Sequence, residues 1–64
     1  MMKKQAQDAL DTAFAVHVGK LFSVLISNVV EGEGDAGGKF SKGLAAADEA
    51  HAIASGIVEK TFVD

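Results

Sequence analysis

Val16–Val30, with the sequence VHVGKLFSVLISNVV, is the most sustained run of bulky apolar residues in this chain of 64 residues. Projected at about 100° per residue, the apolar side chains of this stretch and of the residues before it cover roughly 200° of a helix. If the stretch were a strand, alternate residues such as Val16, Val18 and Lys20 would lie on one side. Neither side would then be distinctly apolar or polar, which argues against a strand. The stretch therefore predicts a helix from about residue 3 to residue 31.

This apolar arc predicts more than one packing partner, because a single neighbour covers only about half of it. A chain of this length buries only about 60% of its unfolded surface, and the absence of cysteine leaves no disulfide framework. Oligomerisation is the remaining usual source of stability for a chain of this size. His17 and Lys20 interrupt an apolar run shorter than the roughly 20 residues of a membrane span, so we expect no membrane insertion.

The charge balance limits the partners. A net charge of −3 argues against a general binder of nucleic acid or anionic membranes, which normally carries a basic patch. Asp8 and Asp11 break any apolar region of a signal peptide after the basic start of the chain. The sequence therefore predicts a cytoplasmic protein.

Glu31–Lys39, with the sequence EGEGDAGGK, is the clear break in the pattern, because four glycines in so short a space disfavour a helix. We expect a loop over residues 32–39, with Gly32 in the left-handed conformation that follows a helix end. A phosphate-binding loop needs a Gly-Lys-Ser/Thr ending after a strand. Here a helix precedes Gly38 and Lys39, Phe40 follows them, and the acidic residues of the stretch would repel an anion, so the loop is predicted to be a plain connector.

A second helix is predicted from about residue 40 to residue 62, because the apolar positions there recur at helical spacing. Gly43 and Gly56 each weaken a helix by about 1 kcal/mol relative to alanine, so close packing is the expected reason for them. Bulky side chains lie mostly on the first helix and small ones on the second, so the bulky side chains can pack against the small ones when the two helices pair. Folding about Gly34 then sets Leu21 near Ala47 and His17 near His51.

Residues 1–64 are thus predicted to form one all-α domain, an antiparallel helical hairpin. Several apolar side chains lack a partner within one hairpin, and an exposed apolar strip of this kind marks an interface. The expected solution is a homodimer of two hairpins that forms a four-helix bundle with two-fold symmetry. The predicted interface consists of Phe14, Val18, Phe22, Ile26, Val29, Ile53 and Ile57.

A pair of helical hairpins of this length resembles, in architecture and not in any residue motif, the Rop-type RNA-binding dimers of plasmids. The resemblance implies RNA binding, for which Lys3, Lys4 and Lys20 are the candidates along the first helix. The chain has no arginine for bidentate contacts to guanine or phosphate and no tyrosine or tryptophan for stacking. Nucleic-acid binding is therefore an alternative and not the leading hypothesis.

The two histidines lie near the midpoints of the two helices, and a two-fold axis at mid-height would gather four imidazoles into one layer. Imidazole is the commonest metal ligand, so His17 and His51 are candidates for a metal site. Neither has a second ligand three or four residues away on a buried face, which a zinc site normally shows. A pH-responsive layer is a further alternative, and the leading interpretation is a structural role in which the histidines only fix the register.

No nucleophile, base and orienting group occur at a spacing that indicates catalysis, and no motif indicates a cofactor. Carboxylate pairs such as Asp8 with Asp11 are predicted to lie on solvated helix faces. The leading hypothesis is a small non-enzymatic dimeric module that acts by protein association, as a regulator, adaptor or accessory subunit. Its partner is a second copy of itself or another protein. The alternatives are a Rop-like RNA-binding regulator and a metal- or pH-responsive bundle.

Overall fold

The computed structural model describes residues 2–62, so Met1, Val63 and Asp64 of the predicted 1–64 domain lie outside the described residues. Within this range the chain forms two helices, α1 (Met2–Val30) and α2 (Ala36–Thr61), and no strand. They pack against each other as an antiparallel hairpin, which confirms the predicted all-α class. The hairpin measures 50 × 15 × 8 Å along its principal axes, and its radius of gyration is 15.0 Å. A compact chain of this length would have about 11 Å, so the molecule is a flat, two-helix ribbon.

The end of α1 follows the sequence prediction. Gly32 has a φ of +78°, the left-handed conformation that favours glycine. Its N–H donates to the carbonyl of Val29 at 3.1 Å, and the N–H of Glu33 donates to the carbonyl of Asn28 at 2.8 Å. These two bonds form a Schellman motif, which satisfies carbonyls that the helix end would leave without partners.

The start of α2 differs from the prediction, since the helix begins at Ala36 and not near Phe40. The N–H of Lys39 donates to the carbonyl of Asp35 at 3.0 Å, so residues 37–39 belong to the first helical turn. A side chain at position 38 would collide with the Asp35 carboxylate, and glycine there leaves room for it. Ala36 is only 5% exposed against α1. The first turn of α2 includes two glycines, and the connector shortens to residues 31–35.

The shorter connector changes how the helices align. Folding about Gly34 predicted that Leu21 lies opposite Ala47, whereas a Cβ atom at Gly43 would lie 2.9 Å from Cδ2 of Leu21. His51 is displaced in the same direction, because it was predicted to lie near His17 and instead contacts Asp11. The part of α2 that faces a given residue of α1 therefore lies about one turn earlier than expected, because α2 starts one turn earlier.

Little of the hairpin is buried. Ala36 is the single buried apolar residue among residues 2–62, and the interhelical side chains are half-buried. Gly43 fulfils the expectation of close packing, since the Leu21 side chain lies directly over it. Gly56 does not, because nothing lies within 4 Å of the position that its Cβ would take. The hairpin thus has an interhelical seam and no enclosed core.

Candidate association surface

The ribbon has two broad faces, and the helical phase of each residue determines the face on which it lies. Two pairs of side chains bridge the helices on one of them: Asp11 with His51, and Gln7 with Ser55. We call this side the clasped face. The opposite side, called the grooved face, has open depressions between the helices. By phase it also carries Ile53 and Ile57.

The larger depression on the grooved face, called the groove, has a volume of about 210 Å³. Its lining consists of Leu10, Ala13, Phe14, His17, Ala47, Ala50, His51 and Ala54. Four of these eight residues are alanines, so the two backbones are thinly covered and a bulky side chain can enter. A smaller depression of about 80 Å³ lies nearer the connector, between Leu21, Val24 and Phe40.

The clasped face carries an apolar ridge in the half of the hairpin next to the connector. Phe22, Ile26 and Val29 form this ridge, and they are 54%, 48% and 62% exposed. Ile53 and Ile57 are both 58% exposed, but they belong to the grooved face in the half that holds the chain ends. The residues predicted to form one interface therefore lie on opposite faces. A four-helix bundle covers one face of each hairpin, so it would leave one of the two groups exposed.

The other two predicted interface residues lie nearer the seam between the helices. The ring of Phe14 packs against that of His51, with centroids 4.8 Å apart. Val18 is half-buried at the edge of α1. Phe14 thus has a partner within its own chain, whereas the ridge residues remain largely open.

A polar network, called the polar clasp, consists of Gln7, Asp11, His51 and Ser55. The amide of Gln7 donates to Oδ1 of Asp11 and to Oγ of Ser55, each at 3.0 Å. Nε2 of His51 lies 2.7 Å from the same Asp11 oxygen. An ionised carboxylate can only accept, so His51 carries its proton on Nε2 in this contact. The hydrogen bonds from His51 and, next, from Gln7 lower the pKa of Asp11 from its ordinary value of 3.8.

The polar clasp was missed in the sequence. Asp11 does lie on a solvated helix face, as predicted, with 55% of its side chain exposed, but it also bonds across to α2. The clasp partners on the two helices are separated by 40 or more positions in the chain. A usable signal was present, because Gln7 and Asp11 lie one turn apart and both border the apolar face. Only the correct register of the helices pairs them with His51 and Ser55.

The two histidines share the groove but not a contact of the predicted kind. The ring of His51 is turned towards Asp11 and Phe14, whereas His17 is an exposed residue at the groove's edge. Among the described residues, no group of three or more His, Cys, Asp or Glu side chains is placed to hold a metal ion. A shared histidine layer would need a second chain, so it stays a prediction.

The lysines predicted for nucleic-acid contact do not form one stripe. Nζ of Lys3 lies 2.8 Å from Glu59, and Nζ of Lys4 lies 3.0 Å from Asp8. Lys20 lies by phase on the grooved face, away from both. Two of the three candidate cations are thus adjacent to carboxylates, which offset their charge towards a polyanion.

An aspartate, a histidine and a serine come together in the polar clasp, which suggests a comparison with hydrolase triads. In such triads the histidine accepts the proton of the serine hydroxyl. Here Ser55 bonds to Gln7, and Nε2 of His51 faces the carboxylate. The contact between base and nucleophile is not formed, and the network instead links the two helices.

By length and composition alone, α1 could cross a membrane, with a mean hydropathy of 1.6 over its most apolar 18 residues. None of that segment is buried in the chain. However, α2 packs along α1 and carries Asp48 and Glu49 near its midpoint. If α1 crossed a bilayer within this hairpin, the charged side chains that α2 places alongside it, from Lys42 to Glu49, would enter the bilayer with it, where ionised side chains are costly.

Comparison with protein-family models, with curated proteins and with solved structures finds no match for this chain.

Proposed function

We propose that this protein is a non-enzymatic helical module that acts by association, with a second copy of the same chain as its first partner. The observation that carries the proposal is the open apolar surface of α1. Apolar side chains cover roughly 200° of the circumference of α1, yet α2 covers only one side of it. The large apolar residues with roughly half or more of their surface exposed are Met2, Val16, Phe22, Val24, Ile26, Val29, Val30, Ile53 and Ile57.

The surface area supports a partner of ordinary interface size. The chain exposes 4663 Å², whereas a compact monomer of 6.6 kDa would expose about 3,900 Å². The excess, about 760 Å², is close to the roughly 800 Å² that each partner contributes to a standard interface. One further copy therefore suffices to bring the exposed area per chain to an ordinary value.

A second copy is favoured over nucleic acid or a membrane by the side chains involved. The open surface is apolar, and two of the three candidate lysines lie against carboxylates. Lipid insertion of α1 would take α2, with its acidic midpoint, into the bilayer. Association between helices needs neither of these environments, and it is consistent with a cytoplasmic protein, which we propose here.

Light scattering after size exclusion tests the proposal at neutral pH, over protein concentrations from about 1 to 100 µM. We expect a mass of at least two chains at the upper end, because apolar burial of this area supports stable association. A monomer with intact helicity at every concentration would contradict self-association.

The same measurement addresses the histidine alternative. Repeating it near pH 5, and with zinc or a chelator, tests whether the assembly responds to protonation or metal. His17→Ala and His51→Ala are the matched variants. A response that disappears in both would favour a metal- or pH-responsive assembly over a purely structural one.

A further inference from the structure

We infer that copies of this chain join by inserting the ridge of one hairpin into the groove of the next. The inference rests on the proposed self-association and specifies its geometry. It differs from the two-fold bundle, in which identical faces meet. In a ridge-to-groove contact each copy uses two different surfaces, and the assembly does not close at two chains.

The ridge and the groove are complementary in shape. The ridge presents Phe22, Ile26 and Val29 outward from the clasped face. The groove on the opposite face is lined by four alanines and has a volume of about 210 Å³, which provides room for side chains of this size. Two groove-bearing faces placed against each other would instead leave both ridges in water.

The two faces also differ in charge. By helical phase the clasped face carries Asp8, Asp11, Asp48 and Glu59, which are partly offset by Lys4 and by Lys3, whose Nζ lies 2.8 Å from Glu59. By phase the grooved face carries Lys20 and Lys39 and no carboxylate from either helix, and the connector residue Glu33 lies 2.9 Å from Nζ of Lys39. Unlike faces therefore attract, whereas like faces would oppose charges of the same sign.

The arrangement of the two surfaces has a consequence for assembly. The ridge lies in the half of the hairpin next to the connector, whereas the groove lies near the middle of the hairpin, displaced slightly towards the chain ends. When the ridge of one copy lies in the groove of the next, the two hairpins point in opposite directions. Their helices then overlap along most of their length. The pair still has one free ridge and one free groove. Such heterologous contacts build rings or filaments and do not stop at a dimer.

The test uses two variants of the full chain that each block one surface. Phe22→Lys places a cation on the ridge, and Ala50→Glu places an anion in the groove. Both residues are exposed, and both substitutions introduce good helix formers, so the hairpin itself should be retained. Thr12→Lys, on the outer edge of α1 and on neither surface, is the matched control. Circular dichroism confirms the helical content of each variant.

We expect wild type and Thr12→Lys to form species larger than dimers at high concentration. Each blocked variant alone should be monomeric, whereas an equimolar mixture should give a species of two chains and nothing larger. In that pair, the intact ridge of Ala50→Glu fills the intact groove of Phe22→Lys. Light scattering at about 100 µM distinguishes these states.

The outcomes separate this inference from the proposed function. A wild-type dimer that does not grow with concentration, together with blocked variants that fail to complement, would overturn the ridge-to-groove contact and leave self-association intact. Blocked variants that assemble like wild type would overturn it as well. A monomeric wild type would instead contradict the proposed self-association.

Discussion

The two halves of the hairpin are held together differently. Towards the chain ends, the helices are joined by polar side chains: Lys3 with Glu59, and the polar clasp. Next to the connector they are joined by close apolar packing, in which Leu21 lies over Gly43 and Ala36 is buried. Apolar packing is non-directional and contributes most of the stability. Hydrogen bonds have defined geometry, so the polar half chiefly fixes which residues face each other.

The largest expected effect comes from the apolar half. Leu21→Ala removes the side chain that packs on the α2 backbone at Gly43. Fully buried leucines cost about 2–5 kcal/mol on this change, and Leu21 is only half-buried. We therefore expect a loss of about 1–2 kcal/mol in the free energy of unfolding, measured by urea denaturation at a fixed protein concentration.

Leu10→Ala is the matched change in the polar half. Leu10 is also half-buried, but it lines the open groove, half of whose lining residues are alanines. The loss should be smaller than for Leu21→Ala. Equal losses would show that the two halves contribute alike to stability and would remove the basis of the comparison.

A pair of glycine substitutions provides a smaller and more local test. Gly56→Ala should stabilise α2 by up to about 1 kcal/mol, because nothing lies near its Cβ position within the chain. Gly43→Ala should stabilise it less, since the added methyl group would lie 2.9 Å from Cδ2 of Leu21, which must rotate away. Thermal unfolding at one concentration measures both. Identical gains would mean that Leu21 does not lie over Gly43 in solution.

The polar clasp should give the smallest effect, and one that depends on pH. The pKa of Asp11 is lowered in the folded chain, first by the His51 hydrogen bond. A lowered pKa adds stability above the ordinary value of 3.8, and this stability is lost as the pH falls through the folded value. Wild type should therefore exceed Asp11→Asn in melting temperature at pH 6, and the difference should vanish in strong acid.

Asp8→Asn is the control for this measurement. It removes a carboxylate from the same helix that is paired within α1 to Lys4. Its melting temperature relative to wild type reports the general effect of charge on the hairpin. An Asp11→Asn difference that persists unchanged at pH 2, or that merely equals the Asp8→Asn difference at pH 6, would show that the clasp does not couple to folding.

The amino-acid sequence predicted the two helices better than it predicted their alignment. Helical phase identified both helices, and the glycine at position 32 marked the end of α1, because both are local properties of the chain. The start of α2 was predicted about four residues late, since two glycines argued for loop. In the structure those two glycines lie in the first turn of α2, where Ala36 is buried and Gly38 leaves space for the Asp35 carboxylate. The one-turn error then misplaced His17 relative to His51 and hid the polar clasp.

By itself, the sequence determined that this protein forms two helices and that the first has more apolar surface than one partner can cover. Periodicity and composition are sufficient for both conclusions. Only the tertiary structure decided how the remaining surface is divided, with the ridge on one face and the groove on the other. That division depends on the rotation and register of α2 against α1, which packing between residues far apart in the chain determines.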